Sequence, residues 1–180
     1  MAKGEATVDW NSATVIKEAD LDEYLFQPID KESTPLRVKA YSIRPDENQI
    51  RIDGFVKYLE KEFPKYVFSE VEYNKGYLDY DDAAQKVNPN SIESGFIGEY
   101  LLYLLTEGVL DLPVVLRKVQ TNQSQNMPVH GADGFFMGEF NGKPCIAPGE
   151  AKTYGNFSNA INKVLKSLEE LLDSDLGEEI

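Results

Sequence analysis

The stretch from Ser91 to Leu110 reads as a helix with almost no polar face. Its middle, FIGEYLLYLL, puts apolar side chains at nearly every helical angle. Such a helix has to be covered on several sides by the rest of its chain. A membrane does not supply the cover: the longest unbroken apolar run, Tyr100 to Leu105, is far short of the ~20 residues a span needs. The remaining solution is an inner layer of a packed domain, helix against sheet. The chain has 180 residues, 42% of them hydrophobic and 27% charged, enough for a core without staples. One cysteine, Cys145, and one histidine, His130, give neither a disulfide framework nor a zinc site by themselves. The first twenty residues are interrupted by Lys3, Glu5, Asp9, Lys17, Glu18 and Asp20, so no secretory core is present and a cytoplasmic chain is expected.

Around that helix the pattern is legible. Pro113–Gln120, Val129–Phe140 and Lys143–Tyr154 read as strands, with a hairpin turn at Asn141-Gly142. Asn156 opens a second helix whose apolar stripe is Phe157, Ile161, Val164, Leu165, Leu168, Leu171 and Leu172. The order is helix, strand, strand, strand, helix. Upstream, Thr7–Trp10 and Thr14–Lys17 read as short strands, Leu36–Ile43 as a strand and Gln49–Phe63 as a helix ended by Pro64. Lys65–Tyr73 reads as another strand and Tyr77–Asn90 as a connection. This divides the chain into an N-terminal α+β extension, residues 1–90, and an α/β core, residues 91–180, with a central mixed sheet and an acidic C-terminal tail.

Net charge is −13, which repels nucleic acid at long range. The distribution is uneven. Between Pro113 and Lys166, six bases (Arg117, Lys118, Lys143, Lys152, Lys163, Lys166) outnumber three acids (Asp133, Glu139, Glu150), leaving +3.

The chemistry concentrates in the same segment. Glu150 and Lys152 are two apart, so on a strand both point to one face. Asp133 lies on the preceding strand of the hairpin. Two carboxylates and an ammonium gathered in this way suit a hard cation such as Mg²⁺, which takes one or two protein carboxylates and keeps several waters. The metal neutralises a phosphate and acidifies a bound water, and the lysine orients that water or stabilises developing charge. A surface ion pair is the plain alternative. Against it stand the apolar run Ile146–Pro148, which reads as a central strand, Gly149, which permits close backbone approach, and Asp133, set beside Phe135 and Phe136 where a carboxylate needs a partner. Glu99, in the nearly apolar helix, is either an edge residue or a third acid facing the site. Gly95 and Gly98 weaken that helix and point to close packing. His130 reads as a hydrogen-bonding residue or a proton shuttle, Cys145 as a core residue, and Lys163 and Lys166 as a solvated face or phosphate contacts. GEFNGK is too short for a P-loop, and no GxGxxG, GxSxG or HExxH motif is present.

Asp133 followed by Glu150-Ala151-Lys152 on this frame resembles the PD-(D/E)xK nuclease superfamily. The wording HGADGFFMG…APGEAKTYGNFSNAINKVLKSLEEL, over roughly Ile92 to Leu172, is more specific. It resembles the HamA family, the small effector subunits of the Hachiman anti-phage defence system. The resemblance implies a metal-dependent DNA nuclease that works with a helicase partner of the HamB type and uses Mg²⁺ or Mn²⁺. Asp133 and Glu150 would be the metal-binding acids, the Ala151 carbonyl a further ligand, Lys152 the catalytic lysine and Glu99 the acid of the first core helix. The superfamily core usually closes with a fourth strand after its second helix. Here the sequence runs into an acidic tail, so that strand is either missing, supplied from elsewhere, or beyond the sequence given. The rival functions are a non-catalytic acidic subunit that restrains a basic DNA-binding partner, and a hydrolase of small phosphate esters. The local +3 argues against a mimic of DNA.

Overall fold

A computed structural model describes residues 13–33, 36–46, 49–50, 52–76, 78–87, 95–117, 132–140 and 143–175. Six helices are described: α1 (Glu18–Leu21), α2 (Ile52–Val67), α3 (Glu70–Tyr73), α4 (Tyr80–Lys86), α5 (Phe96–Leu110) and α6 (Phe157–Asp175). The strands are β1 (Leu25–Ser33), β2 (Leu36–Ile43), β3 (Pro45–Asp46), β4 (Gln49–Ile50), β5 (Val114–Arg117), β6 (Gly134–Phe140) and β7 (Lys143–Gly149). The architecture is mixed α and β, with small antiparallel sheets: β1–β2, β3–β4 and β5–β6–β7. The expected mixed sheet is therefore antiparallel throughout its described pairings. No strand is described after α6. None of the described helices is long and apolar enough to cross a membrane.

The core sits between α2 and α5, and it is aromatic. Phe63 and Tyr66 of α2 meet Phe96 and Tyr100 of α5 at centroid separations of 5.1–5.7 Å, mostly edge-on or tilted. Each such pair adds about 0.5–1.5 kcal/mol to the burial of its apolar area. The Tyr100 hydroxyl donates to the Leu59 carbonyl at 2.6 Å, and burial, with Glu62 nearby, pushes its ionisation above the usual tyrosine range.

Helix α5 is as apolar as its sequence demands, yet carries one fully buried acid, Glu107, at 1% exposure. Its Oε2 accepts from the backbone N–H groups of Val15 (2.8 Å) and Ile16 (3.1 Å), and its Oε1 from that of Val114 (3.1 Å). The segment expected to be a strand at Thr14–Lys17 is instead irregular backbone held by this carboxylate. Thr7–Trp10 lies outside the described residues.

Three other readings change. Helix α2 does not stop at Pro64 but runs on to Val67. The ring removes one donor, yet the next turn buries Tyr66 and Val67 almost completely, and that burial outweighs the lost bond. The alternation after Lys65 is therefore helical, not extended. Ser69 then caps α3: its N–H donates to Glu72 and its hydroxyl accepts the Glu72 N–H, a capping box. Lys86, with help from Ser69, holds the Glu72 carboxyl well below the usual range, at about 2. A second box, between Asp79 and Asp82, starts α4 inside the expected connection. The boundary drawn near residue 90 falls outside the described residues.

Candidate metal and active site

Among the described strands β6 lies between β5 and β7, so β7, expected to be central, is at the edge. The apolar run of β7 is not covered on both faces: Ile146 is exposed and Cys145 only half-buried. The inner face of the sheet meets α5. A methyl group placed on Gly149 would come within 2.6 Å of the Phe136 ring and 3.1 Å of Leu102. Gly149 is thus the close-approach glycine its position before Glu150 implied. Gly98 has the same role on α5, where an added carbon would meet Thr153 Oγ1 at 3.3 Å and Ala151 Cβ at 3.6 Å. Gly95 serves differently. It caps α5 at φ 102°, a left-handed conformation, with nothing packed on it.

These contacts bring the start of α5 onto the segment that follows β7. Asp133 sits just before β6, half-buried, and its N–H donates to the Gly149 carbonyl at 2.9 Å, extending the β6–β7 ladder by one step. Its Oδ2 accepts the Ala151 N–H at 2.9 Å. Lys152 Nζ contacts Glu150 Oε1. The three residues singled out in the sequence, Asp133, Glu150 and Lys152, are therefore assembled around the Ala151 peptide. Glu150 and Lys152 lie beyond the regular end of β7, so the arrangement depends on the Asp133–Ala151 bond rather than on ladder alternation alone.

Burial distinguishes this set from a surface ion pair. The Glu150 side chain is 4% exposed and that of Lys152 26%. Glu150 Oε2 is buried and accepts no hydrogen bond from the described residues. A buried carboxylate oxygen without a donor is costly. Coordination to a cation would remove that cost, and carboxylate oxygens such as this one and those of Asp133 are the donors a hard divalent ion takes. Among the described residues no three His, Cys, Asp or Glu side chains form a metal-holding group. Mg²⁺ needs only one or two protein carboxylates, with water completing its shell.

Glu99 is half-buried in the first turn of α5, one residue after the Gly98 contact. The helix carrying this third acid is thus the one packed on Ala151 and Thr153. Lys163 and Lys166 are exposed on α6. His130 and Lys118 lie outside the described residues. Sequence reasoning passed over Thr153, whose hydroxyl packs at Gly98; a small polar residue next to the lysine was the available signal.

In comparisons with known proteins, a family model described as HamA matches residues 15–180. No curated protein matches the chain, and no solved structure does.

Proposed function

The chain belongs to the HamA family, and so to the multi-subunit Hachiman anti-phage defence system. From that premise we propose that it is the system's metal-dependent DNA nuclease, built on a PD-(D/E)xK-type core and acting with a helicase subunit. The observation that carries this reading is Glu150, buried, with one oxygen against Lys152 and the other without a donor among the described residues. A purely structural ion pair would satisfy both oxygens or leave them in water.

In this proposal Asp133, Glu150 and the Ala151 carbonyl hold one Mg²⁺ or Mn²⁺ ion, and Glu99 approaches from α5. The ion's contribution is to neutralise a phosphate and lower the pKa of a bound water. The protein's own residues do the rest. The Ala151 N–H fixes Asp133, so its carboxylate is held in place rather than free to rotate. Gly98 and Gly149 let helix and strand close together beside the acids. Lys152, the more exposed member of the pair, is placed to meet substrate, orienting the attacking water or stabilising charge on the phosphorane-like transition state. The +3 segment around the site supplies a modest attraction for phosphate within an acidic chain.

Incubating the purified chain, alone and with its helicase partner, with plasmid DNA and Mg²⁺ or Mn²⁺ tests the assignment. Cleavage that EDTA stops is expected. No cleavage with either metal, in the presence of the partner, would refute it.

A further inference from the structure

Helix α6 is the element that the fold and the site leave unexplained. It is 19 residues long and packs only lightly on the other elements. Ala160, Val164 and Ser167 are half-buried, whereas the neighbouring face is open: Phe157 is 76% exposed, Ile161 43% and Leu165 60%. The sequence carries the same face onward, with Ile161, Leu165, Leu168 and Leu172 at the alternating four- and three-residue spacing of a helix-pairing seam. Three exposed apolar side chains on successive turns, Phe157, Ile161 and Leu165, do not stay in water without a reason.

The charges say what covers it. From Phe157 to Ser167 the helix has two bases, Lys163 and Lys166, and no acid. From Leu168 to Asp175 it has four acids, Glu169, Glu170, Asp173 and Asp175, and no base. This order opposes the helix macrodipole, which favours acids in the first turn and bases in the last; α6 has neither. The one ion pair across the midpoint, Lys166–Glu170 at 3.2 Å, is two-thirds exposed and so is worth little. The arrangement becomes favourable when an identical helix lies antiparallel to the first. Each basic half then faces an acidic half, the two dipoles oppose, and the two stripes cover each other. A two-fold axis between Lys166 and Ser167 places Ile161 opposite Leu172 and Leu165 opposite Leu168 of the second copy. This is a self-complementary, closing contact.

We propose that α6 is a homodimerisation helix, pairing antiparallel with α6 of a second copy of this chain. The pairing does not depend on nuclease activity, but it bears on it. The Glu150–Lys152 site lies just before Phe157, so the two sites of a dimer stand at opposite ends of the helix pair, separated by about 28 Å of helix. That geometry presents two sites to one DNA molecule.

The test is the mass of the full chain by sedimentation equilibrium. A contact of this size belongs to the weaker class of interfaces, so the measurement is made at about 50 μM chain in low salt. Twice the 20.3 kDa of one chain is expected. Leu165→Glu, on the exposed face, should give the single-chain mass with an unchanged circular-dichroism spectrum. Lys163→Glu with Lys166→Glu should weaken the dimer at least tenfold, as should Glu169→Lys with Glu170→Lys. All four changes together should restore it, a result that a stripe covered by an unrelated apolar partner would not give. A single-chain mass for the wild-type protein, or a dimer indifferent to Leu165→Glu or to the charge reversals, would overturn the proposal.

Discussion

Asp133 Oδ2 accepts the backbone N–H of Ala151 at 2.9 Å, tying an acid from the start of one strand to the residue between Glu150 and Lys152. Eighteen residues separate the partners in sequence, and the hairpin β6–β7 closes that gap. The bond holds Asp133 against the peptide that joins Glu150 to Lys152, so the acid of one strand stays beside the pair on the next.

Metal binding should be visible as stability. Mg²⁺ at about ten times its dissociation constant stabilises the native state by about 1.4 kcal/mol, which raises Tm by about 3–6 °C for a domain of this size. Glu150→Gln should abolish that rise; without metal, the amide oxygen still accepts from Lys152 while the buried charge is gone, so Tm should stay near that of the wild type. Differential scanning fluorimetry with and without Mg²⁺ decides it. An undiminished Mg²⁺ response in Glu150→Gln would place the ion elsewhere.

Glu99→Gln separates an acid that serves the site from one that merely borders it. The change should weaken Mg²⁺ binding and slow cleavage by about tenfold or more, the usual effect of losing a group that supports a metal, with Tm in EDTA unchanged. Equal metal affinity and equal cleavage in the variant would remove Glu99 from the site.

Glu107→Ala tests the scaffold rather than the chemistry. It strands three backbone N–H groups, those of Val15, Ile16 and Val114. Hydrogen bonds to a buried charged acceptor contribute about 1.5–3 kcal/mol each, so a loss of about 3–5 kcal/mol in urea unfolding is expected. A loss under about 1 kcal/mol would mean that segment 14–16 is held by other contacts.

The legible parts of the chain were those where local pattern and tertiary burial agree. Leu36–Ile43 is a strand end to end because its alternation matches a hairpin pairing with β1. The Asp133, Glu150 and Lys152 set was readable because carboxylates among Phe135, Phe136 and a glycine need partners. Elsewhere the two signals compete. Helix α2 passes through Pro64 because Tyr66 and Val67 are buried beyond it, which no local rule reveals. Strand β7 looked central from its apolar run, but that run faces outward at Ile146. The stripe of α6 was read from its spacing, and only the structure shows Phe157, Ile161 and Leu165 on it exposed. The capping boxes at Ser69–Glu72 and Asp79–Asp82 were present as signals and outweighed by the alternation and tyrosine content around them.

The charge of the chain predicts a division of labour. At −13, the isolated protein should bind DNA weakly near 0.15 M salt, because few cations are available to displace counterions. The helicase subunit should co-purify with it and supply the DNA affinity. Titration of labelled duplex with each component and with the complex tests this. Tight, salt-resistant binding by the isolated chain, with no partner recovered, would contradict it.

The most direct measurement is cleavage of plasmid DNA in Mg²⁺ by the helicase complex containing either the wild-type chain or the Glu150→Ala, Lys152→Ala double variant. Both changes fall at the end of β7, where replacement by alanine leaves the Asp133–Ala151 bond and the sheet in place. The account predicts that the double variant folds, assembles with its partner and cuts no faster than the complex in EDTA, a loss of at least a thousandfold if metal and lysine act as one unit. Cleavage at the wild-type rate by the folded double variant would show that the chemistry lies elsewhere.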